Sequence, residues 1–302
     1  MTNKKSNILP IVVMYLLFFM IAFVTNLCNP MAVIVKNNFA MSNFAAQLGN
    51  AANFIAYAAM GIPAGMLLKK IGYRKTALVA ILIGFIGVFL QYMSGWAAIQ
   101  SFWVYLAGAF TAGFCMCMLN TVVNPMLNTL GGGGNKGNQL VQFGGVCNSL
   151  AAVLVTIIMG SLIADATKAQ IADATPALMI ALGVFAFAFL VLLLVKIPEP
   201  AQENEGDKAK DKKYSAFSFR HFNLGILAIF LYMGVEVGVP TYVMQYLTTS
   251  PDATTPGLGI NASIVGMIVA VYWLLMLVGR LLGGMIGGKV SSRAQITGVS
   301  VL

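Results

Sequence analysis

Charge is the scarcest commodity in this sequence. Only 9% of its 302 residues are Asp, Glu, Lys or Arg, against roughly 25% in an ordinary soluble domain. From Thr76 to Asn135 a run of 60 residues contains none at all. No water-exposed surface can be built from such a stretch, which excludes a soluble globular fold. Histidine is almost missing: His221 stands alone at the edge of an apolar run, and the four cysteines (Cys28, Cys115, Cys117, Cys147) form no C-x-x-C and no zinc-like spacing with it. Metal and disulfide frameworks therefore have nothing to rest on, and neither a metal nor a cofactor is expected. H-E-x-x-H and G-x-S-x-G are also lacking, so no acid, base and nucleophile set exists for an intramembrane enzyme. The segment Gly131-Gly132-Gly133-Gly134-Asn135-Lys136-Gly137 misses the phosphate-loop pattern and follows no strand, so it reads as a turn.

What fills the chain instead is apolar, at 59% of residues. The 18 basic against 9 acidic residues give +9, yet they sit in short clusters between long uncharged windows, which argues against nucleic acid as the partner. Eight windows are long enough to cross a bilayer: 8–35, 40–68, 76–95, 99–127, 139–164, 174–195, 222–249 and 261–288. They lack the alternation of a membrane barrel, and backbone groups in hydrocarbon must be satisfied internally, so each is expected to be a helix. The fold class is an all-α polytopic membrane protein with eight transmembrane helices and the start of a ninth.

Basic residues in short loops orient such a bundle. Fifteen fall on one set of alternating loops (among them Lys4, Lys5, Lys69, Lys70, Arg74, Lys75, Lys136, Lys289 and Arg293) and only Lys36 and Lys168 on the other. That asymmetry places the N-terminus in the cytoplasm of a cell whose cytoplasmic membrane holds the chain. The one long hydrophilic stretch divides three segments: a six-helix part over 1–197, a cytoplasmic linker over 198–220, and a partial second helical part over 221–302. Asn261-Ala262-Ser263 is a formal glycosylation triplet on the opposite side and carries little weight.

The two parts repeat a pattern. Gly65-Met66 followed by Lys69, Lys70, Gly72 and Arg74 closes the second window, and Gly284-Met285 followed by Lys289 and Arg293 closes the eighth. Pro30 and Pro240 lie inside the first and seventh, each preceded four positions earlier by a polar residue, Asn26 and Glu236. A duplication of this kind is a recurrent plan in secondary transporters. Glycines there let helices approach closely, and the cationic turns anchor to headgroups.

Polar side chains inside a span are expensive and are functional suspects for that reason. Asn26 and Asn29 stand in span one, Asn50, Asn53 and Tyr57 along one face of span two, Asn120, Asn124 and Asn128 along one stripe of span four, and Gln139, Gln142 and Asn148 in span five. An amide offers donors and acceptors together, as a sugar hydroxyl does, so an amide-lined wall suits a neutral polyol. Aromatic rings such as that of Tyr57 can cover the apolar face of a pyranose. The other reading of the same amides is hydrogen bonding from helix to helix. Asn26, Asn29, Asn53, Tyr57, Asn120, Asn124 and Gln142 are the candidate substrate contacts.

The segment Pro63-Ala64-Gly65, Lys69-Lys70, Gly72-Tyr73 resembles the loop 2/3 motif of the major facilitator superfamily, in the variant of its fucose:proton symporter and glucose/galactose transporter subfamily. Asn120-Thr121-Val122-Val123-Asn124-Pro125, Asn26-Leu27-Cys28-Asn29 and Gly234-Val235-Glu236-Val237 are similar to that subfamily's segments. The resemblance implies a monomeric sugar transporter working by alternating access, with twelve helices. This chain stops at Leu302, nine residues beyond Arg293, so a fragment or a truncated product is expected. The resemblance also implies proton-coupling carboxylates where Asn29 and Asn120 stand. An amide cannot titrate, which leaves Glu236 as the one acid embedded in a span. Three roles are open for it: the coupling acid, an ion pair with Arg280, or a substrate contact. Symport through Glu236, passive uniport, and a non-transporting derivative of a transporter all remain compatible with the residues.

Overall fold

A computed structural model describes residues 8–163, 168–195, 197–199, 216–253 and 255–301. The expectations for Lys4, Lys5, Lys196 and most of the 198–220 linker fall outside those residues. The described chain is helical: α1 (Ile8–Asn38), α2 (Asn43–Ala46), α3 (Leu48–Ile71), α4 (Tyr73–Met93), α5 (Phe102–Leu130), α6 (Gly134–Leu162), α7 (Thr175–Leu194), α8 (Arg220–Thr248), α9 (Ala262–Gly287) and α10 (Ser292–Val301). Eight of these elements, with α2 and α3 counted as one, are long and apolar enough to cross a membrane. Each coincides with one of the uncharged windows, and α10 opens the segment after the eighth.

Packing divides the molecule into two units, one of residues 1–200 with 261–302 and one of 201–260. In the first unit α4 packs on α5, α5 on α3, α1 on α6, and α6 on α9. In hydrocarbon, where apolar burial gives helices little reason to associate, close backbone approach supplies the attraction. Glycines sit at the crossings. A Cβ on Gly87 would meet the Ala112 nitrogen at 2.6 Å and one on Gly108 would meet the Gly87 carbonyl at 2.7 Å, so α4 and α5 touch backbone to backbone. Gly113 does the same for α5 against the Asn53 carbonyl of α3, while Gly144 of α6 receives the Phe18 ring of α1. Tyr105 lies wholly buried over Gly49, and Phe185 of α7 fills the recess at Gly84.

The turn between α3 and α4 is built by a clasp. Gly72 adopts φ +82°, a left-handed conformation that glycine tolerates. The Glu199 carboxylate covers the start of α4, accepting from the N–H groups of Tyr73 at 2.8 Å and Arg74 at 3.0 Å. Those are donors that a helix start leaves unsatisfied. In return Arg74 caps the end of α7: its Nε donates to the Leu192 carbonyl at 3.0 Å and its Nη2 to that of Leu193 at 2.7 Å. Lys69 and Lys70 project exposed at the same turn. A Cβ on Gly65 would meet nothing within 4 Å, so the close approach expected of the repeated glycine is found at Gly284 and not at Gly65. Glu199 is exposed, so Glu199→Gln is expected to cost only about 0.5–1 kcal/mol. Arg74→Ala, which uncovers two carbonyls at once, should lower the thermal unfolding midpoint in detergent by clearly more than Glu199→Gln.

The second unit contains α8, with Pro240 inside it, and the turn that follows, where Leu258, Gly259 and Ile260 donate back to carbonyls at the end of α8. The formal glycosylation triplet turns out to be a helix start: Asn261 Oδ1 accepts from the Ser263 N–H at 2.8 Å and caps α9.

Candidate solute-binding site

Two groups of polar side chains join the helices α1, α3 and α5. On α1, Pro30 has no N–H to give the Asn26 carbonyl one turn back, which loosens backbone pairing where the polar residues cluster. Thr25 donates to its own helix at Ile21 and reaches α5 at Met116 Sδ, 3.0 Å away. One turn further on α5, Asn120 donates to the Met116 carbonyl at 3.2 Å, and Asn124 donates to both the carbonyl (3.0 Å) and Oδ1 (3.2 Å) of Asn120. The Tyr57 side chain on α3 is set against Asn120 and Cys117. The Asn26 Nδ2 donates to Ala22 at 2.8 Å, while its Oδ1 accepts from no described residue.

A second amide group lies along α1 and the start of α3. Asn50 donates to Asn29 Oδ1 at 3.2 Å and to Gln47 Oε1 at 2.6 Å, and its own Oδ1 is buried with no donor among the described residues. Asn53 is 1% exposed and points its amide at Cys28 Sγ, 3.6 Å away. It therefore ties α3 to α1 inside the packed core and presents no surface. Asn128 donates to Asn138 Oδ1 at the α5–α6 turn, away from both groups. Asn148, half-buried on α6, makes no side-chain hydrogen bond with any described residue.

Gln142 is not brought to the α1, α3 and α5 amides. It lies against α9, with Gly283 and Gly287, and donates to Gln295 Oε1 at 3.4 Å. Arg280 of α9 donates to the Gly145 carbonyl and to Ser149 Oγ of α6, each at 3.1 Å. Glu236 belongs to the other unit, where it is 8% exposed on α8 one turn before Pro240. Sequence reading did not single out Gln47, which sits in the α2–α3 break, or Glu199, which follows Pro198 directly and looked like linker. A carboxylate placed between two prolines just past a helix end was the one available hint for Glu199. Among the described residues no cluster of His, Cys, Asp or Glu is disposed to hold a metal ion.

In chemical terms α1, α3 and α5 present amide oxygens, amide N–H groups and one aromatic ring, with no titratable acid among them. Such a wall can exchange hydrogen bonds with a neutral, hydroxyl-bearing guest, and it offers no charge to an ion.

Glycine-crossed helices long and apolar enough to cross a bilayer eight times define the class as a multi-pass helical membrane protein. Residues 14–302 match the family model of the Major Facilitator Superfamily. The chain belongs to that superfamily, whose members are transporters and not enzymes. It is 29% identical over 288 residues to the glucose/galactose transporter of Brucella abortus, covering 93% of this chain and 68% of that protein. It is 31% identical to a putative glucose/galactose transporter of Helicobacter pylori, covering 96% and 70%. To the L-fucose-proton symporter of Escherichia coli it is 25% identical, covering 86% and 64%, so that here the chain spans less than two thirds of its relative. Among solved structures, the transporter FucP in its outward conformation superposes with a TM-score of 0.73 at 22% identity, covering 95% of this chain and 73% of that one. That likeness carries the fold.

Proposed function

We propose that the chain moves a neutral sugar, a hexose or deoxyhexose, across the cytoplasmic membrane by alternating access. The observation that carries this reading is the setting of Tyr57 of α3 against Asn120 of α5, to which Asn124 bonds, with Asn29 of α1 bonded to Asn50 of α3 beside them in the chain's polar set. The names of the relatives agree with it, since they describe transporters of glucose and galactose and a symporter of L-fucose. Glu236 is the coupling acid in this reading, because the amides of Asn29 and Asn120 cannot carry a proton. The N-terminus is cytoplasmic, the unit of function a monomer, and the division into a six-helix part over 1–197 and a second part from 221 is the ancestral duplication.

Counterflow in proteoliposomes with labelled glucose, galactose, fucose and an amino sugar tests the substrate class. Exchange of at least one hexose is expected, competed by the others; exchange of none, with a folded protein, overturns the reading. Asn120→Ala removes a donor and an acceptor from the wall. It should weaken exchange about 10- to 100-fold, the scale of one or two lost hydrogen bonds to a buried ligand. A second reading, passive uniport, has one observation in its favour: the span-one and span-four positions where the resemblance implies acids are both amides. It predicts the same counterflow with no response to a proton gradient.

A further inference from the structure

The start of α3 holds an acceptor without a donor among the described residues. Asn50, in the first turn of that helix, gives both hydrogens of its Nδ2 to neighbours: one to Asn29 Oδ1 of α1 at 3.2 Å, the other to Gln47 Oε1 of the α2–α3 break at 2.6 Å. Its own Oδ1 is buried and accepts from no described residue. Rotating the Asn50 amide by half a turn would set its oxygen where the nitrogen stands, against two other oxygens, so the orientation is fixed. The backbone beneath is fixed as well, since Tyr105 covers Gly49 and the Asn53 amide, 1% exposed, is tied to Cys28 Sγ at 3.6 Å. A buried amide oxygen without a donor is destabilising. Only a group that brings a hydrogen relieves it; an anion, which can only accept, does not.

Asn50 shares its face of α3 with Tyr57, seven residues on. Two helical turns, about 10 Å, separate the two positions along the axis. A long side chain on a helix leans toward the N-terminus, which brings the Tyr57 ring back toward Asn50 and leaves a gap that one pyranose with its hydroxyls can bridge. At the Tyr57 end stand Asn120 and, bonded to it, Asn124. The two ends therefore ask different things of a guest: an apolar ring face over Tyr57, and one hydroxyl hydrogen at Asn50.

We propose that Asn50 Oδ1 is a hydroxyl-accepting position of the solute site, held in register by Asn29 and Gln47, and that it makes one particular hydroxyl of the sugar obligatory. This deepens the transporter reading above and rests on it for the identity of the guest. Asn50 is the contacting residue, and Gln47 positions it. The oxygen is covered in this conformation and meets its donor as the solute passes along α1 and α3. A site built around a hydroxyl discriminates sharply against the analogue that lacks it, because the oxygen is then left unpaired again.

The test is a deoxy scan of binding to the full chain in detergent. Dissociation constants are obtained from the ligand-induced rise in the thermal unfolding midpoint, for glucose, galactose and fucose and then for each monodeoxy form of the sugar that binds most tightly. In the wild type one monodeoxy form should bind about 10- to 100-fold more weakly than its parent. In Asn50→Ala the parent should fall to the level of that form, so that the two bind alike. A merely structural Asn50 would weaken parent and analogues by one common factor, and an unchanged ratio overturns the proposal. Gln47→Leu keeps Oδ1 and removes one of the two bonds that orient it. It should lower the same ratio severalfold, and it decides the matter if Asn50→Ala does not fold, an unchanged ratio again overturning the proposal. Binding is read without transport, so the two can fail apart. A ratio lost in Asn50→Ala in a chain that shows no counterflow sinks the function and leaves the hydroxyl position standing; counterflow with an unchanged ratio does the opposite. Binding of no sugar at all overturns both.

Discussion

Glu236→Gln is expected to abolish accumulation of sugar against its gradient while leaving counterflow at close to the wild-type rate. The separation follows from what each assay needs. Counterflow at equal pH on both faces requires the helices to alternate with sugar bound, and a neutral glutamine preserves the size and hydrogen bonding of a protonated glutamate. Accumulation requires in addition that a proton be taken up on one face and released on the other, which glutamine cannot do. A single charge crossing 100 mV is worth about 2.3 kcal/mol, enough to hold about a fiftyfold concentration ratio. Wild type should approach that order in vesicles with an imposed potential and an acidic exterior, and the variant should settle at equal concentrations. If Glu236→Gln accumulates as wild type does, the proton takes another path and Glu236 is structural. If wild type itself does not accumulate, the uniport reading gains.

The second large effect concerns folding. Gly113→Leu should prevent the six helices from packing. A Cβ at that position would stand against the Asn53 carbonyl and carbon, and within 2.8 Å of the Ala56 side chain, so that α5 can accept it only by leaving α3. Overpacking of ordinary cores costs about 1–3 kcal/mol. Here the obstacle is backbone, which cannot turn aside as a side chain can, so the cost should exceed that range. The displacement would also pull Asn53 from Cys28 and Tyr57 from Asn120. Gly61→Leu on α3 is the matched control, since nothing stands within 4 Å of its Cβ position. Size-exclusion profile and thermal unfolding in detergent should show an aggregated or much less stable Gly113 variant beside a near-normal Gly61 variant. Two equal profiles would mean that the α3–α5 crossing is looser than its geometry indicates.

The helices were legible before any coordinates because the membrane imposes one rule over the whole chain. A window without charge that is long enough to cross must be helix, and each of the eight windows is. Pro30 and Pro240 fall inside helices, as their placement within apolar runs requires. The polar site was legible in part. Asn120 and Asn124 share a stripe by helical spacing, and they do bond to one another. Asn53 and Gln142 carried the same signal, an amide in an apolar run, and yet one closes a core contact with Cys28 and the other enters a glycine notch. Spacing assigns a side chain to a face of its own helix. Which neighbour that face meets is a property of the bundle.

Sequence alone determined that this protein lives in lipid, that it crosses as helices, which family it resembles, and that the expected proton-carrying acids are amides. Each of these follows from residue type, from the length of uncharged runs and from the impossibility of leaving backbone groups unpaired in hydrocarbon. Tertiary structure alone decided that Glu199 caps the start of α4 and Arg74 the end of α7, across more than 100 positions of chain. It also decided that Gly283 and Gly287 of α9 receive Gln142 of α6, which stands apart from the amides of α1, α3 and α5. Those facts rest on contacts between segments far apart in the chain. Their partners are chosen by shape at close range, where the absence of a single Cβ fixes which backbone can come near.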